Sequence, residues 1–331
     1  LNLLVADLHL DDNPLNEYRW KVFDSIVAHK PKHVFILGDL CHKKDRHSAL
    51  LVNRLTNTLS WLVNQHIRVT ILCGNHDEPL KGPPYWYFLN NIPYLNFVVK
   101  PTAMNDSLLL LPHSNDPTEE WSEVDLSHYK GVFMHQPVSG ADLGNGMKIN
   151  TSYELNFPED IHVYSGDLHF PQRVRGVEYI GTPHPVAFGE HHVYRMLLVN
   201  DAWELVHQIE LHPPEKYTIT VHSIEELQAM NLQQGDQAKI EFVLPAARVE
   251  QWPVEQAAIT AWANTTGVTV AAVKTKVETT PDGSDVPNNN FLLPIDVLVG
   301  FADAEGIEEP LLITGYNLLE EALAEKVQDN D

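Results

Sequence analysis

The sequence predicts an α/β fold built on a parallel sheet, and three observations carry the prediction. Short apolar, β-branched runs recur at residues 3–5, 34–37 and 69–72, each with the length and composition of a buried strand. Amphipathic segments separate them: Trp20, Phe23 and Val27 share one helical face, and Leu51, Leu55, Leu59 and Leu62 share another. Each run then ends in polar side chains: Asp7-Leu8-His9, Gly38-Asp39-Leu40-Cys41-His42 and Gly74-Asn75-His76-Asp77. A βαβαβ order calls for right-handed crossovers. It brings successive strand ends to one rim, where open α/β sheets hold their ligands.

Taken in order, Asp11-Asp12-Asn13-Pro14 reads as a turn and helix entry, and Lys32-His33 leads into the second strand. The loop His42-Lys43-Lys44-Asp45-Arg46-His47 precedes the leucine-striped helix. Pro83-Pro84 breaks the chain, and the aromatic stretch 85–89 serves either as core packing or as a surface for stacking bases. Residues 95–99 and 108–111 read as further strands, and 132–134 as a short one ending in His135. A loop with Gly140, Gly144 and Gly146 is long enough to move over a site. Residues 161–165 run into Gly166-Asp167-Leu168-His169, and 177–180 into Gly181-Thr182-Pro183. Residues 191–199 and 203–211 are expected to complete a second sheet, with a domain boundary at His212-Pro213-Pro214.

Beyond that boundary, strands at 217–221, 238–243 and 268–277 alternate with helices at 224–230 and 249–264, a small α/β module. Residues 279–290 read as a linker, and Tyr316, Leu319 and Leu323 lie on one face of a terminal helix. The expected division is therefore 1–212, 213–285 as a small α/β capping domain, and 286–331 as linker and C-terminal helix.

Composition narrows the class. The 331 residues are 44% hydrophobic, ample for a core. No apolar run reaches the roughly 18 residues of a membrane span. Cys41 and Cys73 are the only cysteines, too few for a disulfide framework, and their strand-end positions suit plain packing; a reducing cytoplasm is the expected setting. A net charge of −23 argues against broad attraction to a polyanion. The acidity concentrates beyond residue 212, so a nucleic acid would meet the N-terminal part instead.

The polar strand ends are the material of a dinuclear metal centre. Phosphate-ester hydrolysis on two cations needs oxygen and imidazole ligands, one of them bridging, an open position for the attacking hydroxide, and a group to meet the leaving oxygen. Asp7 and His9 alternate along an expected extended stretch, so both can reach one cation while Leu8 points away. Asp39 is the natural bridge, Asn75 offers an amide oxygen, and His135 and His169 add imidazoles. Taken singly, each is equally readable as a turn or surface residue; what argues for a site is their convergence by topology.

In that order, Asp7-x-His9, Gly38-Asp39-x-x-His42, Gly74-Asn75-His76-Asp77, His135, Gly166-x-x-His169 and Tyr179-Ile180-Gly181-Thr182-Pro183 resemble the calcineurin-like metallophosphoesterases. Within them the pattern is similar to the SbcD-type nucleases, bacterial and phage counterparts of the eukaryotic double-strand-break repair nuclease. The motifs cover residues 1 to about 200; the later module matches in layout only. The resemblance implies a two-sheet α+β sandwich flanked by helices, and a dinuclear-metal DNA exo- and endonuclease, with Mn the usual ion and Mg an alternative. It assigns Asp7, His9, Asp39 and His169 to a first metal, and Asp39, Asn75, His135 and Asp167 to a second. His76 becomes the general acid, with Asp77 as its orienting partner. His42 matches a histidine used beside the scissile phosphate, or is an exposed loop residue. Asp167 departs from the pattern, which has Gly-His-x-His where this chain has Gly-Asp-Leu-His. A carboxylate is harder than imidazole and favours Mn or Mg over Zn; the swap leaves open a working ligand, a weakened second metal or lost catalysis.

Lys43, Lys44, Arg46, Lys81, Arg173 and Arg175 lie near motifs and are candidate phosphate contacts, or ordinary solvated surface. His33, His66, His162 and His184 have no motif support and read as structural. The resemblance further implies work in DNA repair or recombination with an SbcC-type coiled-coil ATPase, docked through the C-terminal helix, and a homodimer, in a bacterial or phage-infected host cytoplasm. That helix is equally compatible with packing on its own domain. Two other readings stay open: a stand-alone phosphodiesterase or phosphatase for small molecules, and a metal-poor, non-catalytic scaffold.

Overall fold

The computed structural model describes residues 1–278 apart from Leu80 and Asn145. Its first sheet has the order β12-β11-β1-β2-β3-β4. Four strands run parallel at one side: β1 (Asn2–Val5), β2 (His33–Ile36), β3 (Arg68–Leu72) and β4 (Leu95–Val98). The crossovers are α1 (Lys21–His29), entered through a 3₁₀ turn at Pro14–Trp20, and α2 (Ala49–Asn64). Asn13 caps that turn by accepting from the Leu15 N–H, and Ser48 caps α2 through Leu51.

The second sheet has the order β5-β6-β7-β8-β10-β9. It comprises β5 (Thr102–Asn105), β6 (Leu108–Leu111), β7 (Gly131–His135), β8 (His162–Gly166), β9 (Gln172–Val174) and β10 (Val177–Tyr179), with a short helix α3 (Pro117–Glu120) on the way. Here β6, β7, β8 and β10 are parallel.

The alternation of side chains along each strand explains why the two sheets stack. Leu3, Val5, Val34, Ile36, Val69 and Ile71 face outward onto Phe23, Ile26, Leu51, Leu55, Leu59 and Leu62 of the helices. The intervening Leu4, Phe35 and Leu72 face inward onto Leu108, Leu110, Phe133 and Tyr164 of the second sheet. Strands buried on both faces read as continuous apolar runs, which is how they stand in the sequence.

One expectation is corrected. Residues 191–199 and 203–211 do not complete the second sheet: β11 (Tyr194–Val199) and β12 (Leu205–Leu211) join the first. β11 runs antiparallel to β1, pairing Leu198 with Leu3. The chain thereby returns from the second sheet to cover the β1 edge, which a parallel core leaves unpaired.

The third sheet holds β13 (Lys216–Val221), β14 (Gln237–Pro245) and β15 (Thr269–Glu278), with α4 (Ile224–Ala229) and α5 (Trp252–Thr266) between them. These match the elements expected of the small module. β12 ends at Leu211 and β13 begins at Lys216, while Leu1–Val243 and Glu250–Lys276 make one compact unit. The expected linker and terminal helix over 286–331 lie outside the described residues.

Candidate metal centre

The ends of β1, β2, β3, β7 and β8 all open on one rim, and the backbone there is bent to serve it. Asp7, His9, Asp39 and Asp167 each have positive φ, at 54°, 42°, 51° and 82°. Non-glycine residues in this region store roughly 1–3 kcal/mol each and cluster where function demands them. The stretch after β1 is thus not extended as expected. Two left-handed kinks, at Asp7 and His9, turn both side chains toward the rim while Leu8 is buried in the core. The turns are held by Asp7 N–H to Gly38 O (3.2 Å) and His9 N–H to Asp39 O (2.9 Å).

Glycine makes the close approach feasible. A Cβ on Gly74 would stand 2.3 Å from Asp39 N and Oδ1, and one on Gly38 2.0 Å from His135 Nδ1. Both residues are therefore the space in which Asp39 and His135 sit.

Two groups of donor atoms share Asp39. On one side His9 Nε2 lies 3.4 Å from Asp39 Oδ2 and 3.1 Å from His169 Nε2; Asp7, His9 and Asp39 together present a carboxylate–imidazole set able to hold a metal. On the other, His135 Nε2 lies 3.4 Å from Asp39 Oδ1, 3.7 Å from Asp167 Oδ1 and 3.1 Å from the Asn75 side chain. His135 Nδ1 donates to Leu37 O at 2.7 Å, which turns Nε2 toward the centre, where it would offer its lone pair to a cation. His169 Nδ1 likewise donates to Glu190 Oε1 at 2.7 Å.

The polar balance of the rim fits divalent cations. Among the described residues, Asp7 Oδ2 is buried with no hydrogen-bond partner. The inward amide position of Asn75 lies 3.0 and 3.1 Å from the two Asp39 oxygens and 3.1 Å from His135 Nε2, all acceptors. Such a position suits an amide oxygen only if a cation lies among the acceptors.

The family pattern of the calcineurin-like phosphoesterases matches residues 3–186, more than half of the chain. The chain belongs to the calcineurin-like phosphoesterases. It is accordingly a metal-dependent phosphoesterase, and the fold, two mixed sheets with flanking helices, is that of the family. Among solved structures, "Crystal structure of Pseudomonas putida nuclease MPE" is similar at 15% identity and a TM-score of 0.33, over 62% of this chain and 86% of that one. No curated protein matches the chain.

For a member of this family the charges at the rim are telling. Burial, with Asp39 nearby, pushes the Asp7 carboxyl up to about 7, against the pull of His135. Burial also raises Asp167. His135 is raised to about 9: burial opposes its charge, but the carboxylates of Asp39, Asp7 and Asp167 outweigh it. His9 is held well below the ordinary range by burial and by His169. A site with so many buried acids is unfavourable as it stands and favourable around positive ions. Bound divalent ions would supply Lewis acidity toward a phosphoryl oxygen and lower the pKa of water.

The structure thus brings Asp7, His9, Asp39, Asn75, His135, Asp167 and His169 to one place. His76 and His42 stand on its open side: their rings are 5.9 Å apart, and those of His9 and His76 4.8 Å. His76 Nδ1 donates to His42 O at 2.7 Å, and among the described residues Nε2 has no hydrogen bond. Among the described residues, His33 bonds Thr70 Oγ1 and His184 bonds Leu8 O, both buried and structural as expected. Lys43 and Arg46 line a hollow beside His42, whereas Arg173 is exposed on the edge strand β9 and Arg175 pairs with Glu154.

Asp77 is placed otherwise than expected. It does not orient His76. Its carboxylate accepts from Leu40 N (3.1 Å) and Gly74 N (3.0 Å), and so ties the Asp39 turn to the Asn75 turn. Five residues beyond the end of β3, a buried side chain meets backbone donors before it can reach the half-buried ring of His76. Two contributors escaped the sequence reading. Glu190 holds His169 and accepts from Val186 N and Ala187 N, both at 2.9 Å. Arg19, 2% exposed, donates to His9 O and to Val186 O. Neither lies in a motif; a lone Arg in a buried turn was the available signal for the second.

Proposed function

We propose that this phosphoesterase is a DNA phosphodiesterase of the SbcD type, with exo- and endonuclease activity, Mn as its ion, and an SbcC-type ATPase as its partner. The observation that carries the reading is the pair of ligand groups joined through Asp39, with His42 and His76 on the open side. Asp7, His9, Asp39 and His169 would hold one ion, and Asp39, Asn75, His135 and Asp167 the other. The ring of His76, pinned at Nδ1 by His42 O, presents Nε2 to the leaving oxygen and donates a proton there. His42 sits beside it to bind a phosphoryl oxygen, and burial lowers its basicity, with Arg19 adding to the effect.

The test uses purified protein with Mn on plasmid, on linear duplex DNA and on a generic aryl phosphodiester. Degradation of DNA, abolished by chelator and by Asn75→Ala or His76→Ala, supports the reading. Hydrolysis of the aryl ester alone makes the chain a small-molecule phosphodiesterase. No hydrolysis of either, with no metal bound, makes it a scaffold. The ATPase partnership is tested by co-purification of full-length chains.

A further inference from the structure

The aromatic stretch after Pro84 divides in the structure into two faces. It forms a 3₁₀ turn, Tyr85–Asn91, in which residues three apart lie one above the other. Trp86 and Leu89 take the inward face and join the core with Leu10 and Cys41. Tyr85 and Phe88 take the next face and remain 45% and 38% exposed, their rings set edge to face 6.0 Å apart, so that a base stacked on one ring meets the edge of the other. His47 buttresses Tyr85 and Trp86, its ring 4.6 Å from that of Tyr85 and 4.7 Å from that of Trp86.

The loop from His42 to His47 links this platform to the catalytic side, and it carries Lys43, Lys44 and Arg46 against the single acid Asp45. Lys43, Arg46 and His47 line a hollow of about 470 Å³ with Leu10, Asp11 and Asp12. Its two other acids are already engaged. Asp12 takes a hydrogen bond from Ser48, and Asp11 accepts from Asn13 N and Asn16 Nδ2 and faces Arg19. What remains is an exposed π surface bordered by cations, beside a site that acts on phosphate esters.

We infer that Tyr85 and Phe88 form a stacking platform for an unpaired base of a nucleic-acid substrate whose phosphates pass over Lys43, Lys44 and Arg46. The inference rests on the nuclease reading above and adds to it the state of the substrate near the site: single-stranded. Every base has a π face, so such a platform reads strandedness and not sequence. The five-residue step from His42 to His47 spans at most roughly 18 Å. That is within a few nucleotides of chain. Protein interfaces also favour aromatic residues but are depleted in lysine, so rings set among lysines suit a polyanionic strand better than a protein partner.

The experiment compares wild type, Tyr85→Ala/Phe88→Ala and Tyr85→Phe in Mn on three substrates: a short single-stranded oligonucleotide, its blunt duplex and a generic aryl phosphodiester. Stacking predicts that the double variant raises KM for the single strand by about 10-fold or more, with aryl-ester turnover unchanged. Tyr85→Phe, which keeps the π face, stays near wild type. An unchanged oligonucleotide KM overturns the platform, and so does an equal loss on all three substrates. Hydrolysis of the aryl ester with no cleavage of either nucleic acid by wild type refutes the nuclease reading itself, and the platform falls with it.

Discussion

Removing Glu190 isolates what a residue outside every motif does for the metal centre. Its carboxylate accepts from His169 Nδ1 at 2.7 Å and is fixed by the N–H groups of Val186 and Ala187, a geometry that aims His169 Nε2 at His9. Although burial opposes its charge, the bond to His169 holds Glu190 at about 2, so it is ionised at any working pH. The lost contact is thus a charge-assisted bond at a partly buried position, worth about 1.5–3 kcal/mol. If the imidazole then samples other orientations, affinity for the ion falls by roughly 10- to 100-fold, the usual range for partners of this kind. Calorimetric titration of metal-stripped Glu190→Ala with Mn reads the effect directly, and Glu190→Gln, which can still bond the ring, recovers part of it. An unchanged Mn affinity in a folded Glu190→Ala protein refutes the reasoning.

Other residues give equally definite outcomes. Asp167→Ala is expected to lower bound metal from two ions to one, whereas Asp167→His retains two and shifts preference from Mn toward Zn; metal analysis of the purified variants decides. Asp77→Ala leaves the Leu40 and Gly74 N–H groups without their acceptor and lowers stability by about 3 kcal/mol. Denaturant unfolding reads the loss, and a kcat lowered as far as in His76→Ala at unaltered stability restores the orienting role. Gly74→Ala forces a methyl within 2.3 Å of Asp39 N and Oδ1, and is expected to abolish binding of both ions in titration while far-ultraviolet dichroism persists. Burial holds His33 at about 4 against an ordinary 6.5. Between those values the unfolded chain binds a proton that the folded chain does not, so stability falls as pH drops through the window. The loss attributable to His33 reaches about 2–3 kcal/mol near pH 4.5; denaturant midpoints of wild type and His33→Gln at pH 7 and 4.5 measure it.

Much of the centre was legible because parallel strands end on one rim: three apolar runs with Asp7-x-His9, Gly38-Asp39 and Gly74-Asn75-His76 behind them suffice to bring those side chains together. The sandwich core was legible for a similar reason, since strands buried on both faces carry apolar residues at every position. The aromatic stretch was only half legible. That Trp86 turns inward and Tyr85 outward depends on a 3₁₀ turn, whose period of three no apolar pattern there announced.

The sequence by itself determined which chemistry this chain carries, because ligand types and their spacing after strands are local properties. Tertiary structure decided three things. It placed β11 and β12 beside β1 and not in the second sheet. It gave Asp77 to the backbone of two turns, and it gave His169 the carboxylate of Glu190. Each is a pairing between segments far apart in the chain, or a choice among competing donors, and neither is set by any local pattern of residues: strand partners and hydrogen-bond partners are settled only when the whole core closes.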